Sequence, residues 1–265
     1  MKEHKVKSFI RILVGTTFLL MIVINALANI VKFNGQTTGD VSNAYMNLFA
    51  PAGITFAIWG VIYLLLAAYT LYQLGFLQGD LSAEQANFLG RIGFIFSLSS
   101  LANAVWIFAW HYHQITISMI LMLVILICLI AIYRMIQNRE LSLKEKIFVR
   151  LPFSVYFGWI TVATIANATT LLVCKGWNGF GLSDAFWTAI ILLVGTMIGI
   201  LTMLSQQDIA YGLVMIWAYA GIWLKHTSTT GFAGRYPMVI YVTLGCIAVF
   251  VIAEVYLLIN KIKDR

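Results

Sequence analysis

Charge is scarce in this sequence. Only 10% of its 265 residues are Asp, Glu, Lys or Arg, against about 25% in an ordinary soluble domain. No polar stretch is longer than roughly 20 residues, too few for a separate soluble domain to bury its own core. The three cysteines, Cys128, Cys174 and Cys246, show no paired spacing and lie in or beside apolar segments, where cysteine serves as a small core residue. No nucleophile, base and orienting residue cluster together, and no glycine-rich phosphate loop is present. The residues themselves therefore do not argue for an enzyme. Low-complexity segments are missing, and the nearest internal self-match, IWGVIY from Ile58 against IWAYAG from Ile216, is too weak to mark a repeat.

What remains is hydrophobic. Apolar residues make up 61% of the chain and the mean hydropathy is +0.90, which places it among all-α, polytopic integral membrane helix bundles. Eight spans are expected, at about residues 8–32, 52–74, 92–110, 115–133, 151–173, 185–204, 209–224 and 238–260, the seventh being the shortest. The first, preceded by Lys2, Lys5 and Lys7 and containing Ala26, Leu27 and Ala28, also fits a cleavable signal peptide. Asn25 and Asn29, a polar pair on one helix face, argue for a retained span instead. Phe33 to Ala50 is the longest irregular stretch and ends at Pro51, whose fixed φ suits a helix start.

The net charge of +7 is explained by topology. With a cytoplasmic amino terminus, the inner segments hold 13 of the 17 Lys and Arg residues and the outer segments hold the other 4, Lys32, Lys175, Lys225 and Arg235. That asymmetry obeys the positive-inside rule, puts both termini in the cytoplasm and removes nucleic acid as a partner. Membrane lipid is the expected surroundings, in a bacterial inner membrane.

Within the spans, polar and aromatic residues recur at helical spacing. The stretch Leu151–Asn167 carries Tyr156, Trp159, Ala163 and Asn167 three, four and four residues apart, on one face. An unpartnered amide in hydrocarbon is expensive, so Asn167 should face other helices or a ligand. Phe56, Trp59 and Tyr63 share a face of the second span, and Asn103, Trp106 and Trp110 one of the third. Trp110 and Trp177 also fit an interfacial aromatic belt. Asn25, Asn29, Asn103 and Asn167 fit interhelical hydrogen bonding as readily as a ligand site. His111 and His113 belong to a tight HYHQ turn, where histidines are usually solvated, and no Cys or Asp completes a metal set. Glu254 is the one acid well inside a span, the kind of residue found in proton coupling.

Three stretches in order resemble the tryptophan-rich sensory protein family, also called translocator proteins or peripheral-type benzodiazepine receptors. Pro51 with Trp59 and Tyr63 looks like the family's proline-rich entry to its second helix. Asn103, Trp106 and Trp110 are similar to its third-helix pattern, and Pro152, Trp159, Ala163 and Asn167 to its fifth. The chain departs where the family usually has paired prolines and a further Trp, carrying Pro51, Ala52, Gly53 and Ile54 instead. The resemblance implies a five-helix bundle over residues 1–175, with residues 176–265 adding three helices packed on it within one membrane domain. It also implies a pocket for a small, flat hydrophobic ligand, a porphyrin or haem or a sterol-like molecule, with no cofactor required, and a homodimer. The candidate ligand set is Asn25, Asn29, Tyr45, Trp59, Tyr63, Asn103, Trp106, Trp110, Tyr156, Trp159, Ala163 and Asn167. Sensing, regulation or transport of the ligand would be the role. A secondary transporter of a small hydrophobic molecule using Glu254 is the alternative, and light-dependent porphyrin degradation, an activity proposed for the family, is a third reading.

Overall fold

Backbone amides in hydrocarbon have no water to bond, so apolar runs of membrane length must pair their backbone groups internally. The computed structural model, which describes residues 5–263, does this with helices. They are α1 (Ser8–Leu27, prolonged by a π-turn at Ala28–Lys32), α2 (Thr38–Ala44), α3 (Ile58–Leu74), α4 (Ala83–His111), α5 (Ile115–Gln137), α6 (Leu143–Glu145), α7 (Leu151–Cys174), α8 (Asp184–Gln206), α9 (Ile209–Thr227) and α10 (Pro237–Lys263). Among the described residues, seven helical stretches are long and apolar enough to cross a membrane. The expected seventh span is present as α9, 19 residues long, but its Tyr, Trp and Gly residues and its Lys225–His226 end make it less apolar than the rest. The protein is a polytopic helical membrane bundle.

Local capping explains where the elements depart from the apolar runs. The third span was expected from about residue 92, yet α4 starts at Ala83, because Ser82 and Gln85 form a reciprocal capping box. The stretch Phe33–Ala50 is not irregular throughout, since Thr37 and Asp40 cap α2 in the same reciprocal way, at 2.8 Å and 3.2 Å. Past Pro51 the chain is still extended at Ala52, then makes a 3-10 turn at Gly53–Ala57 before α3.

The chain forms two compact units. One comprises the chain up to Val41 together with Trp59–Phe157, and the other Ser42–Ile58 together with the chain from Gly158 on, so α7 gives its first turns to one and the remainder to the other. The expected division at residue 175 follows family likeness, whereas the units follow packing. In the first unit α4 packs against both α1 and α5. Tyr69, Phe96 and Phe153 meet edge to face there, with centroids 4.7 to 5.7 Å apart, an arrangement aromatic quadrupoles favour. In the second unit α10 packs against α8 and α9. Close approach depends on Gly195 and Gly199, where an added Cβ would lie 2.6 Å from the Tyr219 hydroxyl and 2.7 Å from the Phe250 ring. Small residues four apart let helices come together where lipid supplies no hydrophobic drive.

Candidate functional site

Eight of the twelve expected ligand residues fall in the first unit and four in the second. In the first, a chain of polar side chains runs through the buried interior. Asn25 Nδ2 on α1 donates to Asn103 Oδ1 on α4 at 2.8 Å, and also to its own helix at Met21 O, 2.9 Å away. Asn103 Nδ2 donates to the Tyr156 hydroxyl on α7 at 3.4 Å. All three side chains are buried, with Tyr156 wholly so. Trp59 lies edge-on to Tyr156 at 6.1 Å and stacks on Tyr63 at 5.3 Å, their planes 25° apart. Trp59 and Tyr63 both remain partly exposed. The result is a flat aromatic face backed by a phenol and two amides.

Trp106 and Trp110 stack on each other at 5.4 Å and are buried. The Trp110 indole N–H donates to Thr38 O at 3.1 Å, so this ring ties α2 to the end of α4. Asn29 is exposed, donating to Asn25 O at 3.0 Å while its Oδ1 accepts from the Thr38 N–H at 3.4 Å. His111 is fully buried in the last turn of α4, contrary to the solvated loop histidine expected from the HYHQ turn. Its Nδ1 stands 2.8 Å from Ile107 O and its ring meets Phe33 edge to face. The Asp40 carboxyl is held below the ordinary aspartate range because the Thr37 N–H and hydroxyl bond its charged form.

The second unit holds Tyr45, Trp159, Ala163 and Asn167. Trp159 is buried and meets Phe56 edge-on at 5.9 Å. Four and eight residues on, Ala163 is partly exposed and Asn167 buried. Tyr45 precedes the 3-10 turn. Burial pushes its phenol up, and the Cys174 thiol adds to the effect. The turn itself is fastened to α9, with Ala52 N–H donating to Gly221 O at 2.9 Å and the Trp217 indole N–H to Thr55 O at 2.9 Å.

A small open cleft in this unit was not expected from the sequence. Asn47, Thr169, Trp177, Asp184 and Trp187 are among its walls. Trp177 and Trp187 lie 5.0 Å apart, and the Trp187 indole donates to Gly179 O at 2.7 Å. Of its polar groups, Asn47 Oδ1 accepts from the Phe49 and Ala50 amides. Among the described residues no group of three His, Cys, Asp or Glu side chains stands close enough to hold a metal ion.

No curated protein and no solved structure gives a significant match. A family model described as TSPO-like protein matches residues 11–256. The match extends past residue 175 and takes in α8, α9 and most of α10. With nearly all of its length matched, and with the Asn, Trp and Tyr residues of α3, α4 and α7 disposed as described, the chain belongs to the TSPO-like protein family.

Proposed function

We propose that this integral membrane protein binds a flat hydrophobic ligand, a tetrapyrrole such as a porphyrin, against the Trp59–Tyr63 face, in the service of sensing, regulation or transport. The observation that carries the reading is the stacked, partly exposed aromatic pair set beside the Tyr156–Asn103–Asn25 chain. Broad π-faces take up a planar molecule, and one or two oriented polar groups fix its position. The 13-to-4 distribution of basic residues supports an inner-membrane protein with both termini in the cytoplasm.

The test is a titration of the purified protein in detergent with protoporphyrin IX, followed by tryptophan quenching and porphyrin absorbance. Detergent itself takes up porphyrin, so the variants are what discriminate. Trp59→Ala removes one face of the stack, and losing a stacking surface worth about 1 to 2 kcal/mol weakens binding about 5- to 30-fold. Trp159→Ala, in the other unit, reports whether the second aromatic cluster takes part. Equal affinity in wild type and Trp59→Ala would refute the proposed face.

A further inference from the structure

The loop between the membrane-length stretch that ends at Cys174 and the one that begins at Asp184 carries an aromatic cluster that the Trp59–Tyr63 face does not use. Phe180 meets Trp177 edge to face with centroids 5.6 Å apart. The Trp177 and Trp187 indoles lie 5.0 Å apart at 60°, and Phe180 stands 6.4 Å from Trp187 at 49°. Three successive residues with positive φ, Gly179, Phe180 and Gly181, turn the loop back so that Phe180 reaches both indoles. Phe180 is nevertheless 79% exposed, so the cluster is not a sealed core. Trp177 and Trp187 are partly exposed and both line the cleft described above.

Of the residues that line the cleft, Asp184 alone carries charge. Its carboxylate is exposed and takes part in no ion pair among the described residues. Capping of α8 does not occupy it either, because the Phe186 N–H donates to the Ser183 hydroxyl at 3.3 Å. Lys175, the one basic residue of the loop, is not among the lining residues. The Thr169 and Thr188 hydroxyls donate to Ala166 O and Asp184 O, and Asn47 Oδ1 already accepts from two backbone amides. A primary ammonium has three N–H donors to place, and one carboxylate leaves part of that demand to water. A fully methylated ammonium has none, and is held by π-faces and a nearby negative charge. Inclined rings with centroids 5.0 to 6.4 Å apart can converge on one such cation, which binds within about 6 Å of a ring centroid.

We propose that Trp177, Phe180 and Trp187, with Asp184 beside them, form a binding site for a methylated ammonium group, carried either by a small free cation or by a choline lipid headgroup. Its place in the loop at the end of two membrane-length helices opens it to both sources. The site lies within the second unit and does not depend on the ligand proposed for the Trp59–Tyr63 face.

Saturation-transfer difference NMR of choline with the full-length protein in dodecyl maltoside tests this, read on the choline methyl protons against a detergent blank. Tetramethylammonium should compete for the signal, whereas dimethylbutanol, the uncharged carbon isostere of choline, should not. Trp177→Leu removes one face and should weaken binding about 2- to 30-fold. Asp184→Asn changes an exposed side chain and leaves the Ser183 cap in place, so it tests the site even where Trp177→Leu fails to fold. It should weaken binding about 2- to 5-fold at low ionic strength, and the difference should shrink as salt is added. Equal affinity in wild type and Asp184→Asn at low salt overturns the proposal. Effective competition by dimethylbutanol also overturns it, since the cleft would then be merely apolar. Nanodiscs, with empty discs as blanks, separate the two sources. A choline signal lost in phosphatidylcholine discs but kept in phosphatidylglycerol discs would support the site with a lipid headgroup as its occupant. A signal kept in both would support it with a free cation, and no signal in detergent or in either disc would refute it.

Discussion

Removing either partner of the Asn25–Asn103 hydrogen bond should destabilise the protein, and the geometry sets the size of the loss. The bond is 2.8 Å long between two buried side chains. Such bonds in membranes contribute about 0.6 kcal/mol on average and about 1.7 at most, and good geometry with full burial puts this one near 1 kcal/mol. The single variants are not equivalent. Asn25→Ala strands Asn103 Oδ1 as a buried acceptor, at a cost of about 1 to 3 kcal/mol. Asn103→Ala leaves Asn25 Nδ2 still bonded to Met21 O and gives up a 3.4 Å contact with Tyr156 that is too long to contribute much. The double variant removes both polar groups, so its loss should be smaller than the sum of the two by about 1 kcal/mol, a factor of about five in the folded-to-unfolded ratio. Reversible unfolding in mixed micelles, read by far-UV circular dichroism, measures all three. Additivity within about 0.3 kcal/mol would mean that the bond has no net effect and would refute the reasoning.

Gly199→Ala would place a methyl 2.7 Å from the Phe250 ring and 2.9 Å from the Met215 methyl, and overpacking of this kind destabilises by about 1 to 3 kcal/mol. Gly245→Ala, with nothing within 4 Å of the new Cβ, should be neutral or stabilising by up to about 1 kcal/mol; equal losses at both positions would count against close packing at Gly199. The Asp40 carboxyl titrates below its unfolded value, about 3.9, so its bonds to Thr37 contribute fully above that pH and are lost as pH falls through the lowered native value. Hydrogen exchange of the α2 amides, corrected for intrinsic rates, should therefore lose protection on acidification. In Asp40→Asn that pH dependence disappears, and a flat wild-type profile would rule out the cap as its cause.

The placement of side chains was legible in the sequence where the signal lies within one helix. Asn103, Trp106 and Trp110 share a face because of their spacing, and α4 keeps them in that order. The T-x-x-D of Thr37–Asp40 and the S-x-x-Q of Ser82–Gln85 were equally local signals, and reading them would have placed α2 and the true start of α4. The Trp177–Trp187 cleft had no such signal, because its walls come from segments more than 100 residues apart.

The sequence by itself determined the class of molecule, the approximate places of its long apolar helices and its family, since hydrocarbon thickness and backbone pairing leave an apolar chain few alternatives. Only the tertiary structure decided that Asn25 meets Asn103 across 78 residues, that the Trp110 indole reaches back to Thr38, and that Glu254 fills the gap at Gly212. The reason is physical. A helix in water declares its buried side by an apolar stripe, but a helix in lipid is apolar on both its buried and its exposed sides, so periodicity does not set its rotation about its own axis. That rotation is settled by where glycines permit approach and where polar side chains find one another, which no single helix records.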